Sequence, residues 1–266
     1  MKIQKNYMKS IKITYYKNKI KKFLQDRVLW LFFTNRCPYC GELLGKDETI
    51  CKDCEENLPV IKGKKCKYCG AEKSRCNCKK HKLGFDGITS PYYYEDTIKK
   101  CIIRFKFSNK LILGTTLAKD MATAVKEDFQ DKKFDFVCFV PFSKLQVLRR
   151  NYNQSEVLAE NLAKELKLPL YNVLEKLFET KSQHKMNSRG RKGNVFGVYD
   201  VKNGMNVKGK AILLVDDVKT SGSTLDDCAW ILKIRGANEV YCVTAAIAGF
   251  KKKEETEAEK QEKTES

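Results

Sequence analysis

Two adjacent carboxylates, Asp216 and Asp217, follow an apolar run in the segment AILLVDDVKTSGST (211–224). After Val218 and Lys219 come five small or hydroxylated residues: Thr220, Ser221, Gly222, Ser223 and Thr224. LDDCAWILKIRGA then places apolar residues at helical spacing. A strand ending in an acid pair, a tight turn and a helix start together suit a sugar phosphate. The N–H groups of such a turn, and of the helix N-terminus behind it, hold a phosphate. Carboxylates at the strand's C-terminal end can accept hydrogen bonds from the two hydroxyls of a ribose. The carboxyl ends of parallel strands are also where open α/β sheets bind ligands. The segment is neither a Walker A loop nor a dinucleotide fingerprint, because G-x-x-x-x-G-K-[ST] and G-x-G-x-x-G are both absent. A plain strand–turn–helix with capping Asp and Ser/Thr residues accounts for one or two of these positions. It leaves unexplained two carboxylates placed straight after apolar residues, where burial without partners is costly.

The second group of chemically able residues is a run of paired cysteines. CPYCG (37–41) is followed by CKDC (51–54), CKYCG (66–70) and CNC (76–78). Each C-x-x-C can turn two sulfurs onto one ion, and the glycine after two of the pairs frees the backbone to close the knuckle. The spacing predicts up to two structural Zn²⁺ sites of four sulfurs each. In sequence order these are Cys37, Cys40, Cys51 and Cys54, then Cys66, Cys69, Cys76 and Cys78. An interleaved pairing is also open, since spacing alone does not exclude it, and His81 can stand in for a sulfur in the second set. Disulfides would require an exported chain, for which the sequence offers no support. Cys101, Cys138, Cys228 and Cys242 sit among apolar residues and read as core.

The elements that position these groups follow from periodicity. FDFVCFVPF, GKAILLVDD and NEVYCVTAAIA read as buried strands. QSEVLAENLAKELK and LGTTLAKDMATAVKE have the i, i+3, i+4, i+7 pattern of helices, and STLDDCAWILKIRGA is a helix ending near Gly236. ITSPYYYED reads as strand and turn, and TIKKCIIRFKF as a helix or a helix–strand. Alternation of strands and helices predicts an α/β fold with a mostly parallel sheet flanked by helices. The predicted layout is a basic extension (1–27), a cysteine-rich zinc module (28–82), the α/β domain (83–250) and a charged, disordered tail (251–266).

The formal net charge is +19, with nine Lys/Arg against one acid in the first 30 residues. Such an excess favours polyanionic partners such as nucleic acid, anionic lipid or phosphorylated ligands, or it reflects a lysine-rich solvated surface. The longest apolar run is Val28–Phe33, far short of the ~20 residues of a membrane span. It is also a poor signal-peptide core, so a cytoplasmic location is expected.

VDDVKTSGST resembles the phosphoribosyl diphosphate (PRPP) motif of type I phosphoribosyltransferases. With the cysteine module in front, and ordered matches from about Val28 to Ala248, the chain resembles the ComF family. That family combines a phosphoribosyltransferase-like domain with an N-terminal zinc module. The resemblance implies that Asp216 and Asp217 face the ribose hydroxyls and that Lys219 to Thr224 surround the 5′-phosphate. VPFSKLQVLRRNYNQ (140–154) is similar to the family's V-P-V-P … R-G-F-N-Q segment, with Asn151 in the place of its glycine. By resemblance Arg150, Asn153 and Gln154 lie near the pyrophosphate. TKSQHKMNSRGRKGNVFGVY (180–199) resembles the T-x-x-Q … R-x-x-N-V segment and contributes Arg191. IRFKF (103–107) resembles a segment ending in Lys-Tyr-x-Gly, with Lys106 and Phe107 in place. The implied ligand is PRPP with Mg²⁺. The implied role is the handling of incoming single-stranded DNA in natural transformation, with a DNA-uptake helicase as a partner. An active phosphoribosyltransferase of nucleotide metabolism, without a DNA role, is the alternative. The resemblance identifies no catalytic residue.

Overall fold

The structure is a computed structural model that describes residues 35–45, 47–76, 78, 83–107, 111–143, 146, 152–177 and 198–249. The predicted extension 1–27, the apolar run 28–33, the tail 251–266, His81, His184, Arg150, Asn151 and the segment 180–195 lie outside the described residues. The chain divides into two compact units, Met1–Asn57 and Leu58–Ser266.

In the first unit the CPYCG turn is closed by two backbone bonds. Gly41 N–H donates to Cys37 O at 2.9 Å, and Cys37 N–H to Glu42 O at 2.8 Å. Gly41 adopts φ 87°, the left-handed region that only glycine enters at little cost. An antiparallel bridge between Arg36 and Leu43 seals the turn. A short helix, α1 (Lys52–Asn57), carries Cys54 inward.

The second unit begins with the same device. Gly70 N–H donates to Cys66 O at 2.8 Å, Cys66 N–H to Ala71 O at 2.7 Å, and Lys65 bridges Glu72. A 3₁₀ turn at Lys73–Arg75 follows. The chain then builds β1 (Gly87–Thr89), β2 (Tyr92–Tyr93), α2 (Asp96–Phe107), α3 (Leu111–Asp128), β3 (Phe136–Phe139) and α4 (Gln154–Leu166). Next come β4 (Leu174–Lys176), β5 (Tyr199–Val201), β6 (Ala211–Lys219), α5 (Ser223–Ile234) and β7 (Glu239–Ile247).

The main sheet is parallel, in the order β1-β7-β6-β3, with β2 pairing β7 beyond the end of β1. Pro91 separates β1 from β2 and has no N–H to give the ladder. In β6, Ile212 and Leu214 share a core with Leu225, Cys228, Ala229 and Leu232 of α5. Leu213 and Val215 alternate with them onto the other face, and both are fully buried. Helix α4 buries Leu158, Ala159 and Leu162 and packs against α3, β3 and β6. Shortening Leu158 to Ala would cost about 2–5 kcal/mol.

TIKKCIIRFKF, open between helix and helix–strand on sequence, is helical throughout in α2. It buries Ile98, Cys101, Ile102 and Phe105, the i, i+3, i+4, i+7 stripe. The sequence reading had no place for the antiparallel pair β4–β5, which joins Leu174 to Val201 and Lys176 to Tyr199. Among the described residues no helix is long and apolar enough to cross a membrane.

Candidate functional site

Strand β6 runs past its apolar core through Asp216 and Asp217 to Lys219, held there by pairing with β7 as far as Ile247. The turn that follows reverses at Gly222, with φ 83° as the N-cap of α5. A side chain at 222 would be strained by this φ, and its Cβ would stand 3.0 Å from Lys219 Cε. Asp216 and residues 218–225 line one depression at this end of the sheet. Asp226 N–H donates to Gly222 O at 2.9 Å as the helix begins. The N–H groups of Thr224 and Leu225 have no backbone acceptor among the described residues. Ser223 N–H reaches only the Ser221 hydroxyl, at 3.3 Å. Open amides at a helix N-terminus are an anion site in waiting.

The two carboxylates are held differently. Asp216 Oδ1 accepts from Ser155 Oγ at 2.8 Å and from Asp217 N–H at 2.9 Å. Its Oδ2 has no partner among the described residues. Burial, and then the like charge of Asp217, push the Asp216 carboxyl up to about 7, against the pull of Ser155 and Lys106. Asp217 Oδ2 lies 2.5 Å from Lys106 Nζ, and its Oδ1 accepts from Val218 N–H at 2.6 Å. Asp217 is therefore turned toward α2, while Asp216 faces the turn.

The predicted residues Asn153 and Gln154 are both buried and spend their side chains on the protein itself. Asn153 caps α4 by accepting from Ser155 N–H at 3.0 Å, and its amide donates to Val140 O at 3.0 Å. Gln154 donates to Lys106 O at 3.5 Å. They fix the start of α4, and that start delivers Ser155 to Asp216. The sequence alone gives Ser155 only a place in a helix and Tyr199 only a place at the end of the 180–199 segment; the Tyr199 phenol is pushed up by burial first and then by Cys228, Asp216 and Asp227. The Thr224 hydroxyl opposes that shift. The adjacency of Ser155 to Asn153 and Gln154 in the R-x-x-N-Q segment was the only signal that could have found it.

The cysteines gather in sequence order, not interleaved. Sulfurs of Cys37, Cys40, Cys51 and Cys54 lie within 4.8 Å of one another, as do those of Cys66, Cys69, Cys76 and Cys78. Separations of 3.5 Å (Cys40–Cys51), 3.4 Å (Cys66–Cys78) and 3.6 Å (Cys69–Cys76) approach the ~3.8 Å edge of a tetrahedron with Zn–S of ~2.3 Å, while Cys76–Cys78, at 3.0 Å, is tighter. None of the eight is in a disulfide. Burial opposes ionisation of Cys37, but backbone N–H groups at Cys40, Cys51 and Tyr39 outweigh it and bring the thiol down to about 6. Cys101, Cys138, Cys228 and Cys242 are buried in the core, as their apolar surroundings predicted.

A parallel sheet, a sugar-phosphate-type turn after its central strand and two four-sulfur knuckles define a phosphoribosyltransferase-like protein with a double zinc ribbon. Residues 153–265 match the phosphoribosyl transferase domain family, and residues 28–82 match the double zinc ribbon domain. The chain is 29% identical to Competence protein F of Haemophilus influenzae over 220 residues, covering 79% of this chain and 95% of that protein. It is 30% identical to Competence protein ComFC of Bacillus subtilis over 204 residues, covering 73% and 82%. It is 24% identical to DNA utilization protein YhgH of Escherichia coli over 217 residues, covering 79% and 90%. The chain belongs to the ComF family, and its double zinc ribbon with two cysteine clusters supports structural zinc.

Proposed function

We propose that this chain binds PRPP, or a related sugar phosphate, at the end of β6, and that it serves the handling of incoming single-stranded DNA in the cytoplasm. The carrying observation is Asp216, with an oxygen open beside a turn whose Thr224 and Leu225 amides are also open. The 5′-phosphate takes the turn from Lys219 to Thr224, and the diol takes the carboxylates. Arg150 and Arg191, outside the described residues, are assigned to the diphosphate on the strength of their motifs. Arg suits that task because its guanidinium is always charged and forked. Mg²⁺ accompanies the diphosphate, and Asp216 and Asp217 are hard oxygen donors that fit its water shell. Such a site supports attack on ribose C1 by the nucleophile of an acceptor, the C1–O bond breaking to release pyrophosphate, through oxocarbenium character of the kind seen in glycoside hydrolysis.

The DNA role is supported by the names of the relatives, two for competence and one for DNA utilization, together with the +19 net charge. A helicase of the uptake machinery is the expected protein partner.

Calorimetry with PRPP and Mg²⁺ tests the ligand. Wild type is expected to give saturable heat, and Asp216→Ala little or none. Equal heats from the two proteins reject the site. For the DNA role, the affinity for a fluorescent single-stranded oligonucleotide is compared at two salt concentrations. Phosphate contacts predict a steep fall with salt, and a flat response rejects them.

A further inference from the structure

Lys219 is 8% exposed, yet no carboxylate pairs with it among the described residues. An unpaired buried ammonium is expensive. Its surroundings supply the reason it is tolerated. Its side chain lies under the Gly222 turn, with Nζ 3.7 Å from the position of a Cβ at 222. Its backbone is paired in register with Ile247 of β7, and its carbonyl accepts from Ala248 N–H at 2.8 Å. Ile247 in turn forms a core with Ile61, Cys66, Cys69, Ala71 and Tyr93. A Cβ at Gly70 would be 3.6 Å from Ile247 and 3.7 Å from Ile88, and Ile88 N–H donates to Lys67 O at 3.2 Å. The second cysteine knuckle is therefore seated on the strand ends that carry the turn. Lys219 and Ile247, in register on parallel strands, put their side chains on the same face, so the lysine stands on the side of the sheet where Cys66 and Cys69 pack.

We propose that Lys219 is a positioning residue shared by the second cysteine cluster and the phosphate-holding turn. Its ammonium answers the negative charge of the metal-loaded thiolates and holds the turn in its anion-binding form. Four thiolates around Zn²⁺ carry a net charge of −2, and Lys219, paired in register with the Ile247 that packs on Cys66 and Cys69, is a cation near enough to offset part of it. Emptying the second cluster then weakens anion binding at the turn. By reciprocity, an anion on the turn slows loss of the metal. This rests on the reading of the turn as a phosphate site.

The test uses the full zinc-loaded chain as wild type, Lys219→Met, Cys78→Ser and Lys132→Met. Lys132 pairs with Glu239 at the start of β7 and controls for the loss of a lysine. Zinc release to a chromogenic chelator is followed with and without PRPP and Mg²⁺, and PRPP affinity is measured by calorimetry. Lys219→Met is expected to release one zinc equivalent faster than wild type. It is also expected to bind PRPP about tenfold more weakly, because the amides of the turn are no longer held in place. PRPP is expected to slow zinc release from wild type and from Lys132→Met, but not from Lys219→Met. Cys78→Ser keeps the lysine and is expected to lose PRPP affinity as well, which decides the matter even if Lys219→Met does not fold. Wild-type release rates in Lys219→Met, or undiminished PRPP affinity in Cys78→Ser, overturn the link while leaving the phosphate reading intact. A wild type that gives no PRPP heat overturns that reading, and the link with it.

Discussion

Lys106 Nζ stands 2.5 Å from Asp217 Oδ2, joining the last turn of α2 to the acid pair of β6. Both side chains are largely out of solvent, at 18% and 13% exposure. Lys106→Met leaves Asp217 without its cation, and a half-satisfied charge in such a place costs about 2 kcal/mol. In a domain of this size that lowers Tm by roughly 4–8 °C. Lys106→Arg keeps the charge and should recover much of the loss. An unchanged melting curve for Lys106→Met would mean that the pair contributes nothing.

The raised Asp216 carboxyl makes stability depend on pH. Folding moves this group from its ordinary 3.8 to about 7, so the native state holds the proton more tightly. The unfolded chain ionises first as pH rises, and stability therefore falls between about pH 4 and 7. The cost is fully present above 7. Asp216→Asn is expected to flatten this window and to be the more stable protein at pH 8, as read by urea midpoints. A wild-type midpoint that rises across the same window contradicts the assignment.

Ser155→Ala removes the hydroxyl that favours the Asp216 carboxylate. The carboxyl is expected to rise further, so PRPP affinity should reach its plateau at higher pH than in wild type. Calorimetry across pH 6–9 reads the midpoint, and an unmoved midpoint would show that Ser155 only fills space.

Elemental analysis should give two zinc ions per chain. Removing them with a strong chelator is expected to loosen the Gly41 and Gly70 turns, seen as loss of amide protection around both knuckles. A value near one would leave one cluster as free thiols.

Asn153→Ala deletes a helix cap and a buried amide bond together, at about 2 kcal/mol. The loss should appear in Tm. If PRPP affinity collapses while Tm stays put, Asn153 touches ligand directly.

The legible parts of the sequence were those whose pattern is local. The apolar run 211–215, its acid pair and the turn at Gly222 lie within fourteen residues, and they fold as read. The C-x-x-C-G repeats likewise contain their own closing bonds. The stripe Ile98, Cys101, Ile102, Phe105 settles α2 once helical spacing is counted. What escaped was set by distance in the chain. Ser155 meets Asp216 across 61 positions and Lys65 meets Asp128 across 63, and neither contact leaves a mark on spacing. Strands β4 and β5 are three residues each, too short to show alternation. Asn153 and Gln154 carry the motif, but the side chain that reaches a carboxylate belongs to the next residue.

Leu177 N–H donates to Val198 O at 2.8 Å, directly beyond the β4–β5 pair. That bond adds one rung to a ladder of only three pairs, so the two strand ends are fixed across it. Leu177→Pro would remove the N–H that makes this rung and open the end of the strand pair beside Tyr199.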